Sequence, residues 1–120
     1  MRVAGIGFRR GATLASLRDV LVAVGGDVVA LATAEDKADA QVLRVFSAEI
    51  GVPILSVALA ELREQATPTL TQRLPARYGA GSLAEAAALA AAGPGARLTV
   101  TRVVSADGMA TAAIAEGDWA

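Results

Sequence analysis

Residues Val3-Ala4-Gly5-Ile6-Gly7-Phe8-Arg9-Arg10-Gly11-Ala12-Thr13 decide the fold. A short apolar run ends in glycines, then in two arginines, and Thr13 stands where a helix needs a cap. Apolar residues without alternation suit a strand buried on both faces, and the glycines suit its exit turn. Leu14, Leu17, Leu21 and Val24 then recur at helical spacing, with Gly25-Gly26 as the stop. Val28 to Ala34 is apolar on both faces again and reads as a second strand, which completes a βαβ unit.

The same grammar continues outward. Val42, Val45, Phe46 and Ile50 place one face on a helix predicted from about Asp39 to Ile50, ended by Gly51. Pro53 to Val57 makes a third strand, with proline tolerated at its first position. Ala58 to Gln65 is a short helix held by Leu59 and Leu62. From Ala66 to Gly81, Pro68 and Pro75 interrupt a spacing of Leu70, Leu74 and Tyr78, so a partly helical, mobile connection is expected. Ser82-Leu83-Ala84-Glu85 fits a capping box at the start of an Ala-rich helix ending at Ala92. Leu98 to Val104 and Met109 to Ala115 flank the turn Ser105-Ala106-Asp107-Gly108, which reads as an antiparallel hairpin with a residue pair suited to positive φ. The expected architecture is α/β: a single three-layer α/β/α domain over residues 1–120, with a mixed sheet made of parallel N-terminal βαβ units and a C-terminal antiparallel hairpin. The alanine excess reads as compositional bias.

Composition narrows the chemistry. At 120 residues and 54% hydrophobic the chain is long enough to form one globular domain with a core that needs no staples, and with neither Cys nor His it lacks thiol nucleophiles, Cys/His zinc sites and imidazole acid–base catalysis. Met1 and Met109 are its softest metal ligands, so no metal or cofactor of its own is expected. A net charge of −1 and 3% aromatic residues give no counterion release and no stacking platform, which argues against nucleic acid. Val3 to Phe8 is too short for a secretory core, and Arg18 and Asp19 interrupt the apolar stretch after Arg9-Arg10. No uncharged stretch reaches the roughly 18 residues of a membrane helix. A cytoplasmic location is expected.

Two loops carry the candidate site. Gly5, Gly7 and Gly11 shape a turn that sets Phe8, Arg9 and Arg10 before the helix capped by Thr13, and guanidinium forks beside unpaired helix amides suit carboxylate or phosphate. The alternative is a tight turn with solvated arginines. A dinucleotide fingerprint would need glycine or alanine where Arg10 stands, although Glu35-Asp36 follows the second strand as a ribose ligand should. No Gly-Lys-Ser/Thr appears, so a P-loop is excluded. The second loop, Thr33 to Asp39, holds Lys37. Parallel βα units open their loops on one edge, so Lys37 should lie beside Arg9 and Arg10; its alternative is an ion pair with Asp36 or plain solvation. Ser82 and Glu85 are read first as caps and second as ligand contacts. Trp119 suits surface covering or an oligomer contact.

Three blocks, Gly5 to Gly11, Ala32-Thr33 with Lys37-Ala38-Asp39, and Gly81 to Leu89, together resemble the CobE family of cobalamin biosynthesis, which is similar to the C-terminal domain of the CbiG proteins. The resemblance spans most of the chain in order. Phe8 stands where that family often has cysteine, and Asp39 where glutamate is expected. The resemblance implies a role near the ring-contraction stage of corrin synthesis, with a polycarboxylated precorrin or corrinoid as the small-molecule partner and other cobalamin-pathway enzymes as further partners. A binding or accessory role is expected ahead of catalysis. The alternative is a hydrolase that opens a precorrin ring lactone and releases acetaldehyde, with Lys37, Glu35, Asp36 or Asp39 as base. Charged hydrogen bonds at about 1.5–3 kcal/mol each from Arg9, Arg10 and Lys37 offset little more than the cost of association. An apolar floor is therefore expected, with Phe8 and the Leu70–Tyr78 segment as walls.

Overall fold

A computed structural model describes residues 1–65, 67 and 82–117. Five strands form one sheet: β1 (Arg2–Phe8), β2 (Ala30–Ala34), β3 (Ile54–Val57), β4 (Arg97–Val104) and β5 (Ala110–Glu116). Their order is β3-β2-β1-β5-β4. β1 pairs in parallel with β2, and β2 with β3, whereas β5 runs antiparallel to both β1 and β4. The expected mixed sheet is present, with the parallel units first and the hairpin last. Four helices pack on it among the described residues: α1 (Leu14–Ala23), α2 (Gln41–Ile50), α3 (Leu59–Arg63) and α4 (Leu83–Ala92).

Alternation along β1 separates two cores. Ala4 and Ile6 join Leu17, Val20, Leu21, Leu43, Phe46 and Ile114 in the cluster beneath α1 and α2. Val3 faces the other way, into a cluster of Ala32, Ala34, Val57, Leu62 and the alanines of α4. β2 is buried at every position, as its unbroken apolar run requires.

The glycine of β1 has a specific cause in this second layer. A Cβ on Gly5 would lie 1.8 Å from the backbone oxygen of Ala84, so α4 rests directly on the strand. Helix and sheet approach this closely only when the facing side chains are methyl groups or hydrogens. Leu83, Ala84, Glu85, Ala86, Ala87, Ala88 and Ala92 are all buried. The alanines of this helix are therefore a packing requirement and not merely bias.

Several boundaries differ from the sequence reading. β2 begins at Ala30 and not Val28, because Val29 is 55% exposed. α2 begins at Gln41 and not Asp39: Ala40 is its first flanking residue, and no side chain caps it. In the hairpin turn only Gly108 has positive φ, while Asp107 contributes through its carboxylate. The capping box at α4 is half present. Ser82 Oγ accepts the Glu85 amide at 3.3 Å, but the Glu85 carboxylate turns away, to the sheet.

At the amino end of β1 the first and last described residues meet. The Met1 amino group donates to the Gly117 carbonyl at 2.8 Å, and the Gly117 amide donates to the Met1 carbonyl at 3.0 Å. No helix among the described residues is long and apolar enough to cross a membrane.

Candidate binding site

The carboxyl ends of β1, β2 and β3 open on one edge of the sheet. The Glu35 amide donates to the Val57 carbonyl at 2.9 Å, which holds the loop after β2 against the end of β3. The hairpin turn reaches the same edge, since Phe8 pairs with Ala110 and the Arg9 amide donates to the Met109 carbonyl at 2.9 Å. α4 begins there too, because Leu83 lies over Gly7 and Ala84 over Gly5. The loops after β1 and β2, the hairpin and two helix starts thus share one rim.

Lys37 ties the two cationic loops. Its Nζ donates to the Phe8 carbonyl at 2.9 Å and sits 5.0 Å from the centroid of the Phe8 ring. An ammonium over an aromatic face is held by the ring quadrupole, for about 0.5–1 kcal/mol at an exposed site. Arg9 and Arg10 follow Phe8 directly and are exposed. Between Arg9 and the helix, the Ala12 amide donates to the Arg9 carbonyl at 3.0 Å, and Gly11 takes a φ of 93° that other residues avoid. The loop is a built turn, closed at both ends.

Thr13 closes it with a full capping box. Its hydroxyl accepts the Ser16 amide at 3.3 Å, and Ser16 Oγ accepts the Thr13 amide at 3.2 Å. Ser16 then donates its hydroxyl to Asp107 at 2.6 Å. Asp107 also accepts from the Ser105 hydroxyl and from the Met109 amide at 3.0 Å, so one carboxylate fastens the hairpin to the start of α1. The Ser105 and Ser16 hydroxyls, in that order, hold the Asp107 carboxyl below its ordinary pKa. Sequence reasoning missed this cluster. The spacing Thr13-x-x-Ser16 and the Asp107-Gly108 turn were its only signals, and nothing local says that they meet.

Other predicted site residues serve the scaffold. Thr33 is fully buried and donates its hydroxyl to the Ile6 carbonyl at 2.8 Å, crosslinking β1 and β2. Gly5 lies under α4, and the Gly7 carbonyl accepts from the Thr111 hydroxyl at 3.4 Å. Ser82 is buried as the α4 cap. Glu85 is fully buried, and its Oε2 accepts the Arg102 amide at 2.8 Å, within a register shift that interrupts the pairing of β4 with β5. Phe8 is half-buried against the α1/α2 core, with Lys37 over its ring. The other expected wall, Leu70 to Tyr78, lies outside the described residues, as does Trp119.

Away from this rim, a cleft of about 360 Å³ lies between α3 and the end of α4, lined by residues including Glu61, Glu64, Leu89 and Pro94. Among the described residues no group of three or more acidic side chains is placed to hold a metal ion.

Comparison with known proteins places this scaffold. Residues 2–115 match the family model for the cobalamin synthesis G C-terminus. The crystal structure of CobE, a protein from the cobalamin (vitamin B12) biosynthetic pathway, superimposes with a TM-score of 0.85 at 30% identity, covering 96% of this chain and 89% of that one. The cobalamin biosynthesis protein chiG from Agrobacterium tumefaciens str. C58 gives 0.73 at 38% identity, covering 99% and 100%. A putative cobalamin biosynthesis protein G homolog from Sulfolobus solfataricus shares the fold, with a TM-score of 0.68 at 20% identity, and this chain spans 36% of it. A search of curated proteins finds no match. Because the family match covers nearly the whole chain and two solved relatives align end to end at 30% identity or more, the chain belongs to the cobalamin-biosynthesis family of the CbiG C-terminal domain.

Proposed function

We propose that the chain binds a polycarboxylated, precorrin-type tetrapyrrole near the ring-contraction stage of corrin synthesis, at the rim where β1 and β2 end. One observation carries the reading: Lys37 reaches across from the β2 loop to the Phe8 carbonyl, beside the exposed Arg9 and Arg10. Precorrins are flat and largely apolar, and their margin carries acetate and propionate groups. Guanidinium forks pair with such carboxylates two bonds at a time, and a turn closed at both ends loses little freedom on binding. The starts of α1 and α4 add partial positive charge along the same rim. Family membership supports a ligand from this pathway.

Binding is favoured over hydrolysis of a ring lactone. Glu35, Asp36 and Asp39 are not withdrawn into the core, whereas a carboxylate that activates water is usually shielded from solvent. Neither nucleic acid nor a membrane enters the reading, and other enzymes of the pathway remain as candidate partners.

The test is an absorbance titration with cobyrinic acid, a corrin bearing free carboxylates. A saturable spectral change at micromolar protein is expected. Arg9→Ala combined with Arg10→Ala should weaken it by at least about tenfold and flatten its dependence on salt. A double variant that binds like the parent would move the site elsewhere, and acetaldehyde released by this chain alone from a lactone-bearing precorrin would make it an enzyme.

A further inference from the structure

Of the eleven basic residues in the chain, only Lys37 is lysine; the rest are arginine. It stands where the two residue types differ most. A compact ammonium can rest over an aromatic face and still direct an N–H at the carbonyl of the same residue, whereas a guanidinium holds its donors in one plane. Lys37 does both at Phe8. Phe8 packs against the α1/α2 core and is half-buried, and Lys37 stands over its ring. The one aromatic surface placed on this rim by the described residues is therefore covered by a cation.

We propose that Lys37 is a specificity latch, whose ammonium leaves Phe8 for a ligand carboxylate and so uncovers the ring for the ligand's apolar face. The proposal rests on the tetrapyrrole-binding reading. An ionised carboxylate accepts a shorter and stronger hydrogen bond from an ammonium than a neutral carbonyl does. Exchange of partners is thus favourable when a carboxylate arrives, and not otherwise. A flat molecule without an acid group meets a hydrated cation on the surface it would stack against. An acid without a flat face gains the ion pair but not the ring. Ligands with both features are selected at one residue.

Lysine labelled with 13C at Cε gives one lysine methylene signal. The ring current of Phe8 should shift this signal upfield in the free protein, and Phe8→Leu should abolish the shift. The probe is uroporphyrin, a flat tetrapyrrole with acetate and propionate groups, followed by absorbance in the same samples. The expected result is saturable binding, with the lysine signal moving downfield in step. Lys37→Ala should bind uroporphyrin roughly tenfold more weakly and bind a neutral, polyethylene-glycol-substituted porphyrin more tightly than the parent does. A lysine signal that stays upfield while absorbance saturates would overturn the latch and leave the binding reading standing. Equal losses for both porphyrins in Lys37→Ala would also overturn it. Absence of uroporphyrin binding would overturn the latch, which selects any flat acid, whereas the binding reading falls only if cobyrinic acid also fails to bind.

Discussion

On the α1/α2 face of the sheet, Phe46, Leu17, Leu43 and Ile6 fill the layer with long side chains that interlock. On the α4 face the layer is thin: alanines lie against Gly5 and Ala32, and the helix backbone itself touches the strand. One face is held by volume, the other by proximity. A thick layer yields slightly when a side chain changes and suffers when one is removed, whereas a thin layer admits no addition at all.

Substitutions of opposite sense on the two faces separate these modes. Phe46→Ala should cost about 3–5 kcal/mol in urea unfolding, through the cavity left in the thick layer. Gly5→Ala adds a single methyl group, yet it should cost about 3 kcal/mol, the top of the usual range for overpacking, because the atom it meets is a helix carbonyl and not a side-chain tip. A Gly5→Ala protein with parental stability would mean that α4 floats on the sheet. Glu85→Ala strands the Arg102 amide at the bulge and should cost about 1–3 kcal/mol, with Glu85→Gln less damaging because an amide oxygen still accepts. Amide exchange at Arg102 reads this directly: it should rise in Glu85→Ala and stay slow in Glu85→Gln.

The smallest effect tests the hairpin fastening. Asp107 titrates below its ordinary 3.8 in the folded chain, held there first by Ser105 and then by Ser16. A depressed carboxylate stabilises the fold above its unfolded pKa, and that contribution disappears as pH falls through the folded value. Asp107→Asn should therefore unfold less steeply than the parent below about pH 4 and resemble it in slope at neutral pH. Glu49, lowered chiefly by its hydrogen bond from Arg18, gives the same sign across the α1–α2 contact, and added salt should erase that part first.

The two layers also differ in how much of them is legible in the sequence. α1 announces itself, since Leu17 and Leu21 recur at helical spacing against polar neighbours. On α2 the spacing of Val42, Val45, Phe46 and Ile50 finds the helix but not its face, because Leu43 and Phe46 are the buried pair and Val45 is 44% exposed. α4 is legible as a helix from Ser82 and its alanines, but a run of one residue type has no periodicity to show which side is buried. Its closeness to Gly5 is a long-range fact. Glu85 follows the capping-box pattern locally and is taken instead by a bulge 17 residues later, because a buried carboxylate goes to whichever unpaired amide the fold brings nearest. The loops bearing Arg9 and Lys37 are predictable as neighbours, since parallel strands leave little choice. That Lys37 lies over Phe8 is not, because side-chain stacking across loops leaves no mark in residue spacing.

The paired bonds between Met1 and Gly117 set an attachment geometry. β1 runs from that seam to Phe8 over seven residues, roughly 20 Å of extended backbone. A tag, tether or immobilising surface joined at Met1 therefore departs from the opposite pole to the cationic rim. Sensors or affinity matrices made from this domain can be anchored by that end without shading the loops that would meet a pigment.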